Sequence, residues 1–80
     1  MSILKVSTRQ IKAARALLNW SQSDLARESG VSEPTIKRLE AVDGALGGSQ
    51  PTAEKILDCF HRAGIEFLDG PGVKIRKLQL

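Results

Sequence analysis

The residue types that most often do covalent chemistry are scarce in this chain and poorly spaced for it. Cys59 is the sole cysteine and His61 the sole histidine. Two residues apart on a helix they fall on different faces, so neither can activate the other. The carboxylates are scattered and form no constellation with them, so neither a nucleophile nor a metal site is expected. The segment GALGGSQPT, residues 44–52, has the glycines of a phosphate cradle but lacks the lysine and the preceding strand of a nucleotide loop. No cofactor and no enzymatic activity are expected. What remains is the chemistry of recognition, concentrated in Glu33, Pro34, Thr35, Lys37 and Arg38. These side chains offer acceptors, donors and charge on a helix that needs only Ile36 and Leu39 to hold it in place.

Such a surface must be carried by something rigid, and the stretch Ser21–Glu40, SQSDLARESGVSEPTIKRLE, supplies it. Ser21 with Asp24 three residues on is a reciprocal cap opening a helix over 22–29. Gly30 falls where a left-handed residue would end that helix, and Val31 packs the turn back onto the core. Ser32 caps a second helix over 33–40. Glu33 sets a negative charge at the positive end of its dipole, and Pro34 lies in its first turn, where a missing N–H costs nothing. Ile36 and Leu39 face inward against Leu25 and Ala26, and the small Ala26 lets the two axes approach closely.

The composition fits one domain over residues 1–80. Hydrophobic residues make up 41% and charged residues 26%, with no repeat and no low-complexity tract, which is globular. So small a core would gain stability from dimerisation. The net charge is +3, and the excess lies in residues 1–40, with seven basic and four acidic side chains against five and five afterwards. The basic half therefore contains the two-helix unit, a modest electrostatic footprint for nucleic acid. One cysteine excludes an internal disulfide, no apolar run approaches the roughly 20 residues of a membrane helix, and no signal peptide opens the chain. A reducing cytoplasm is the expected location.

Around the two-helix unit the chain reads as follows. Residues 1–6 either pair as a strand with the C-terminal segment or fray. Ser7 with Gln10 forms a capping box for a helix over 8–18, whose apolar stripe is Ile11, Ala14, Leu17 and Leu18. Arg15 lies on the same stripe, so its guanidinium is partly buried and needs an anion. Glu40 is the candidate partner, in a structural ion pair; a phosphate is the alternative. Trp20 precedes a helix, as a staple does, and with aromatics at 4% no platform for stacking single-stranded bases exists. After Glu40 comes a glycine-rich loop of about ten residues, pinned by Leu46. A fourth helix follows over about 51–63, with Ala53, Ile56, Leu57, Phe60 and Ala63 as its apolar stripe and Cys59 at the border. Residues 65–77 change to period two and predict a β-hairpin with Ile65, Phe67, Val73 and Ile75 on one face. The fold class is thus mainly α, four helices and a C-terminal hairpin. An isolated hairpin is marginal in water and has a free edge, so pairing with a second copy through Phe67, Val73 and Ile75 is expected, unless Lys74, Arg76 and Lys77 block that edge or contact phosphate.

Trp20-Ser21-Gln22, Leu25-Ala26, Gly30-Val31-Ser32, Thr35-Ile36 and Arg38-Leu39-Glu40 together resemble the helix-turn-helix of the phage-repressor and Cro-type (XRE) DNA-binding proteins. The resemblance covers residues 7 to about 63. It implies a sequence-specific regulator of double-stranded DNA with helix 33–40 in the major groove. A chain this small leaves little surface for recruiting polymerase, so a repressor is expected, and one short helix reads too few base pairs alone, so a homodimer on an inverted repeat is expected. The resemblance further implies Glu33, Pro34, Lys37 and Arg38 on base edges, Gln22, Ser32 and Thr35 on phosphates, and the same structural pair of Arg15 with Glu40. Glutamate and proline stand where this family more often has glutamines. The hairpin also departs from the fifth helix common in the family, although AGIEFLDGPGVKIRK is similar to a variant with a glycine-ended fourth helix followed by a basic strand. The alternative function is an antitoxin, or another module that uses this fold to hold a protein partner such as a toxin or co-regulator.

Overall fold

Four serines punctuate the chain, and each opens a helix. Ser7 Oγ accepts from Gln10 N–H at 3.1 Å and Ser21 Oγ from Asp24 N–H at 3.0 Å, and in both cases the N3 side chain reaches back to the cap N–H, completing a capping box. Ser32 and Ser49 cap through Thr35 and Thr52, each followed within two residues by a proline that has no N–H to leave unpaired. The computed structural model describes residues 5–76 and gives α1 Thr8–Leu18, α2 Gln22–Ser29, α3 Glu33–Glu40, α4 Gln50–Arg62, β1 Ile65–Phe67 and β2 Val73–Ile75. The fourth helix begins one residue earlier than the pattern predicted, because Ser49 caps it directly, and ends one residue earlier, with Ala63 as its C-cap before Gly64 at φ +97°. Pairing of residues 1–4 and the role of Lys77 lie outside the described residues.

The turn between α2 and α3 is made by Gly30 at φ +78°, whose N–H returns to Ala26 O at 2.9 Å. Space around it is open, so the left-handed conformation itself, not a close approach, is what requires glycine. Val31 is buried just beyond it and commits the chain to turn.

The core joins Ile11 and Ala14 of α1, Leu25 of α2, Ile36 and Leu39 of α3, and Ile56, Cys59 and Phe60 of α4 to Val6, Val31 and Ile65. Phe60 is fully buried at its centre. Trp20 stacks on Phe60 with ring centroids 5.6 Å apart, and Phe67 meets it edge-on at 5.9 Å. Every aromatic ring of the chain is therefore engaged in one interior cluster, which fixes Trp20 as a packing residue. One expected core residue is not there: Leu17 is 45% exposed. It lies about 100° round the helix from Leu18, off the stripe that faces the core.

The strands pair antiparallel in the register Ile65↔Ile75, Glu66↔Lys74, Phe67↔Val73. This puts Ile65, Phe67, Val73 and Ile75 on one face, as the alternation predicted. The hairpin packs on α1 and α4, and its far end is fastened by Gln10. That side chain is fully buried, and its Nε2 donates to Leu68 O at 3.0 Å and Gly72 O at 2.8 Å while Oε1 accepts the Ser7 N–H.

The glycine-rich loop after α3 is also tied down. Leu46 N–H donates to Val6 O, Thr8 N–H to Gly44 O and Thr8 Oγ1 to Val42 O, so residues 6–8 and 42–46 run side by side. Gly48 closes the loop at φ +85°, with a Cβ there placed 3.0 Å from Leu39 Cδ2. No helix among the described residues is long and apolar enough to cross a membrane.

Candidate nucleic-acid interface

The face in question is the outer side of α3. Ile36 and Leu39 are buried beneath it, while Pro34, Lys37 and Arg38 are exposed and Glu33 and Thr35 half-exposed. The alternation is a consequence of helical period: two inward anchors three residues apart leave the intervening positions on the solvent side. Ser32, before the helix, is exposed, and its hydroxyl donates to Thr35 Oγ1 at 2.9 Å. Ser32, Thr35 and the first-turn backbone thus form a polar rim at the positive end of the helix dipole, suited to a phosphate.

Charge on this face is distributed unevenly. Glu33 accepts a 2.7 Å hydrogen bond from Ser23 Oγ of α2, and its other oxygen lies 3.6 Å from Lys37 Nζ. Arg38, by contrast, has no hydrogen-bond or ion-pair partner among the described residues. An exposed guanidinium with all five donors unspent is the group on this surface most available to a base edge or phosphate.

Beneath the face lies the ion pair expected from α1. Arg15 donates from Nε to Glu40 Oε2 at 2.8 Å and from Nη2 to Glu40 Oε1 at 2.7 Å, a bidentate fork, and from Nη1 to Trp20 O at 3.0 Å. The Glu40 side chain is 4% exposed and that of Arg15 19%. One pair therefore joins α1, the chain entering α2 and the last residue of α3, and Arg15 is spent on this internal bond. Gln22 joins them as well, donating to Glu40 Oε1 at 3.0 Å. The resemblance alone had set Gln22 toward a phosphate; in the free protein its amide is held at the end of α3.

Cys59 and His61 lie apart from this face. Cys59 is buried, donates to Ile56 O, and is pushed up to about 11 by burial, so it is a thiol at neutral pH. His61 is exposed, and among the described residues no group of His, Cys, Asp and Glu is arranged to hold a metal.

The remaining expected residues, Phe67, Val73 and Ile75, are brought together by the hairpin, but Phe67 and Ile75 pack against this chain's own core. What they leave for a partner is backbone. Leu68 N–H bonds Gly72 O and Arg76 N–H bonds Gly64 O, so in the antiparallel ladder the pairs Ile65/Ile75 and Phe67/Val73 are the non-hydrogen-bonded ones. The N–H and C=O of Val73 and Ile75 consequently point away from β1, along an edge of β2 that has no partner strand among the described residues.

Two helices joined by a glycine turn, the second anchored by its apolar side and presenting cationic and polar groups outward, define a helix-turn-helix domain of the kind that binds DNA. Residues 11–60 match the protein family described as helix-turn-helix, and the chain belongs to that family, the XRE group. Among curated proteins, 42 residues are 48% identical to the 2,3-bisphosphoglycerate-independent phosphoglycerate mutases of Staphylococcus aureus, Staphylococcus haemolyticus and Staphylococcus epidermidis, a match covering 52% of this chain. The chain spans only 8% of the length of those mutases.

Proposed function

We propose that this chain is a sequence-specific regulator of transcription that acts as a repressor, binding double-stranded DNA as a two-fold homodimer with α3 in the major groove. The observation that carries the reading is the outer face of α3: Arg38 stands exposed and unpaired among the described residues, over a helix locked from below by Ile36, Leu39 and the Arg15–Glu40 fork. A base-reading element needs this combination of free donors and a rigid mount, since a loosely held helix would lose in ordering what it gained in contact. Glu33, Pro34, Lys37 and Arg38 meet base edges; Ser32, Thr35 and Gln22 meet phosphate, Gln22 by exchanging or sharing its bond to Glu40.

The dimer follows from size. An eight-residue helix is about 12 Å long and reads only a few base pairs. Two copies related by a two-fold axis read an inverted repeat with half-sites about 34 Å apart. The outer edge of β2, unpaired among the described residues, is the contact proposed: a two-stranded sheet is marginal alone, and pairing β2 with β2 of a second copy makes four strands and satisfies the outward groups of Val73 and Ile75.

The test is selection of bound duplexes from a random pool, followed by Arg38→Ala against the selected site. Wild type should enrich an inverted repeat, and the variant should lose roughly 1 to 3 kcal/mol and relax preference at one base pair per half-site. Failure to enrich any sequence, or capture of a protein partner by a chain with no affinity for duplex DNA, overturns the proposal.

A further inference from the structure

Ser23 sits on the exposed side of α2 and has no part in capping or in the core. Its hydroxyl nevertheless crosses to the recognition helix and donates to Glu33 Oε1 at 2.7 Å. The other oxygen, Oε2, lies 3.6 Å from Lys37 Nζ, one turn further along α3. Both oxygens of Glu33 are thus tethered, one from each helix of the unit, and the carboxylate still keeps unused lone pairs and a half-exposed surface.

A fixed carboxylate can only accept. In the major groove guanine shows acceptors at N7 and O6, thymine an acceptor at O4, and adenine a donor beside the N7 acceptor, whereas cytosine shows the N4 amino donor alone. Cytosine is therefore the base that an immobile anion meets without an opposing acceptor. The neighbouring ammonium of Lys37 is a donor only. In one G·C pair the guanine O6 and cytosine N4 are hydrogen-bonded to each other and so lie about 2.9 Å apart. That spacing is close to the 3.6 Å between Lys37 Nζ and Glu33 Oε2.

We propose that Ser23, Glu33 and Lys37 form a reading unit for one G·C pair in each half-site. Glu33 accepts from cytosine N4, Lys37 donates to guanine O6, and Ser23 is a positioning residue that orients Glu33 without contacting a base. The inference rests on α3 being the groove helix. It explains why a carboxylate, which DNA phosphates repel, stands at the start of that helix: its orientation is prepaid within the protein, and its selectivity comes from the bases it refuses.

The test uses the full chain and its selected duplex, with each half-site position changed in turn to the other three base pairs, and an unrelated duplex as the reference. Wild type, Ser23→Ala, Ser23→Thr and Glu33→Gln are compared after thermal unfolding has shown each to be folded. Wild type should prefer G·C at one position by about tenfold or more. Ser23→Ala should flatten that preference severalfold at that position alone, and Ser23→Thr, which keeps the hydroxyl, should restore it. Glu33→Gln should move the preference to A·T, since an amide can bond adenine N6 and N7 together. Unchanged preference in Ser23→Ala and Glu33→Gln, or an equal loss at all positions, overturns the reading unit while leaving α3 in the groove. No preference at any position in wild type overturns both.

Discussion

Glu40 accepts three hydrogen bonds, two from Arg15 and one from Gln22, at a site nearly closed to water. Removing it leaves a guanidinium facing Trp20 O and nothing else, and a stranded, partly buried charge is costly in a way the intact pair is not. Glu40→Ala should destabilise the fold by about 3 kcal/mol. Arg15→Ala should cost at least as much, because it strands the more buried member of the pair with Gln22 as its remaining donor. Thermal unfolding of both single variants and the double variant checks this: the double should be no worse than Glu40→Ala, and strictly additive losses would mean the pair does not act as a unit. This pairing was legible in the sequence because Arg15 falls on an apolar stripe and needs an anion. Gln22 was placed only by the family resemblance, on a phosphate, since nothing in spacing says which of two acceptors, carboxylate or phosphate, an amide will find first.

Among the elements, the helices were legible and their fastenings were not. Serine caps, a turn glycine and inward residues at a period of 3.6 are local signals, and they delivered α1 to α3 to the residue. Leu17 was misread because an apolar residue at the margin of a stripe looks the same in sequence whether or not a neighbour covers it. Gln10 is the clearest case of a hidden role. The capping box accounted for its Oε1, and its Nε2 was left for partners 58 and 62 residues away, which no local pattern contains. Gln10→Leu keeps the volume but removes both the cap acceptor and the donor to Leu68 O and Gly72 O. It should destabilise the protein by about 2 kcal/mol, with the amides of Leu68 and Arg76 exchanging with solvent faster than those of α2 and α3. Hairpin protection that stays in step with the helices would show that Gln10 serves only as a cap.

At the scale of the whole molecule, the four helices supply most of the core, while the hairpin closes it on one side with Ile65 and has on its other side a backbone edge with no partner strand among the described residues. The register sharpens the dimer test: Ile75 belongs to a non-hydrogen-bonded pair, so Ile75→Pro removes an outward donor without breaking a bond to β1. Light scattering should then report a monomer. Affinity for an inverted repeat should fall far more than affinity for unrelated duplex, because two linked half-sites contribute together only in the dimer. A dimer that survives this change would move the interface to another surface, with exposed Leu17, Val42 and Leu68 as the apolar positions to examine.

The central claim, that the outer face of α3 reads duplex DNA, is tested most directly by titrating isotope-labelled protein with the selected duplex and following backbone and side-chain nuclear magnetic resonances. The account predicts that the largest shifts fall on Ser32 to Arg38 and on the side chains of Gln22 and Arg38, with Ile56, Cys59 and Phe60 of α4 little changed. Shifts centred on α4 or the hairpin, with Lys37 and Arg38 unmoved, would contradict it.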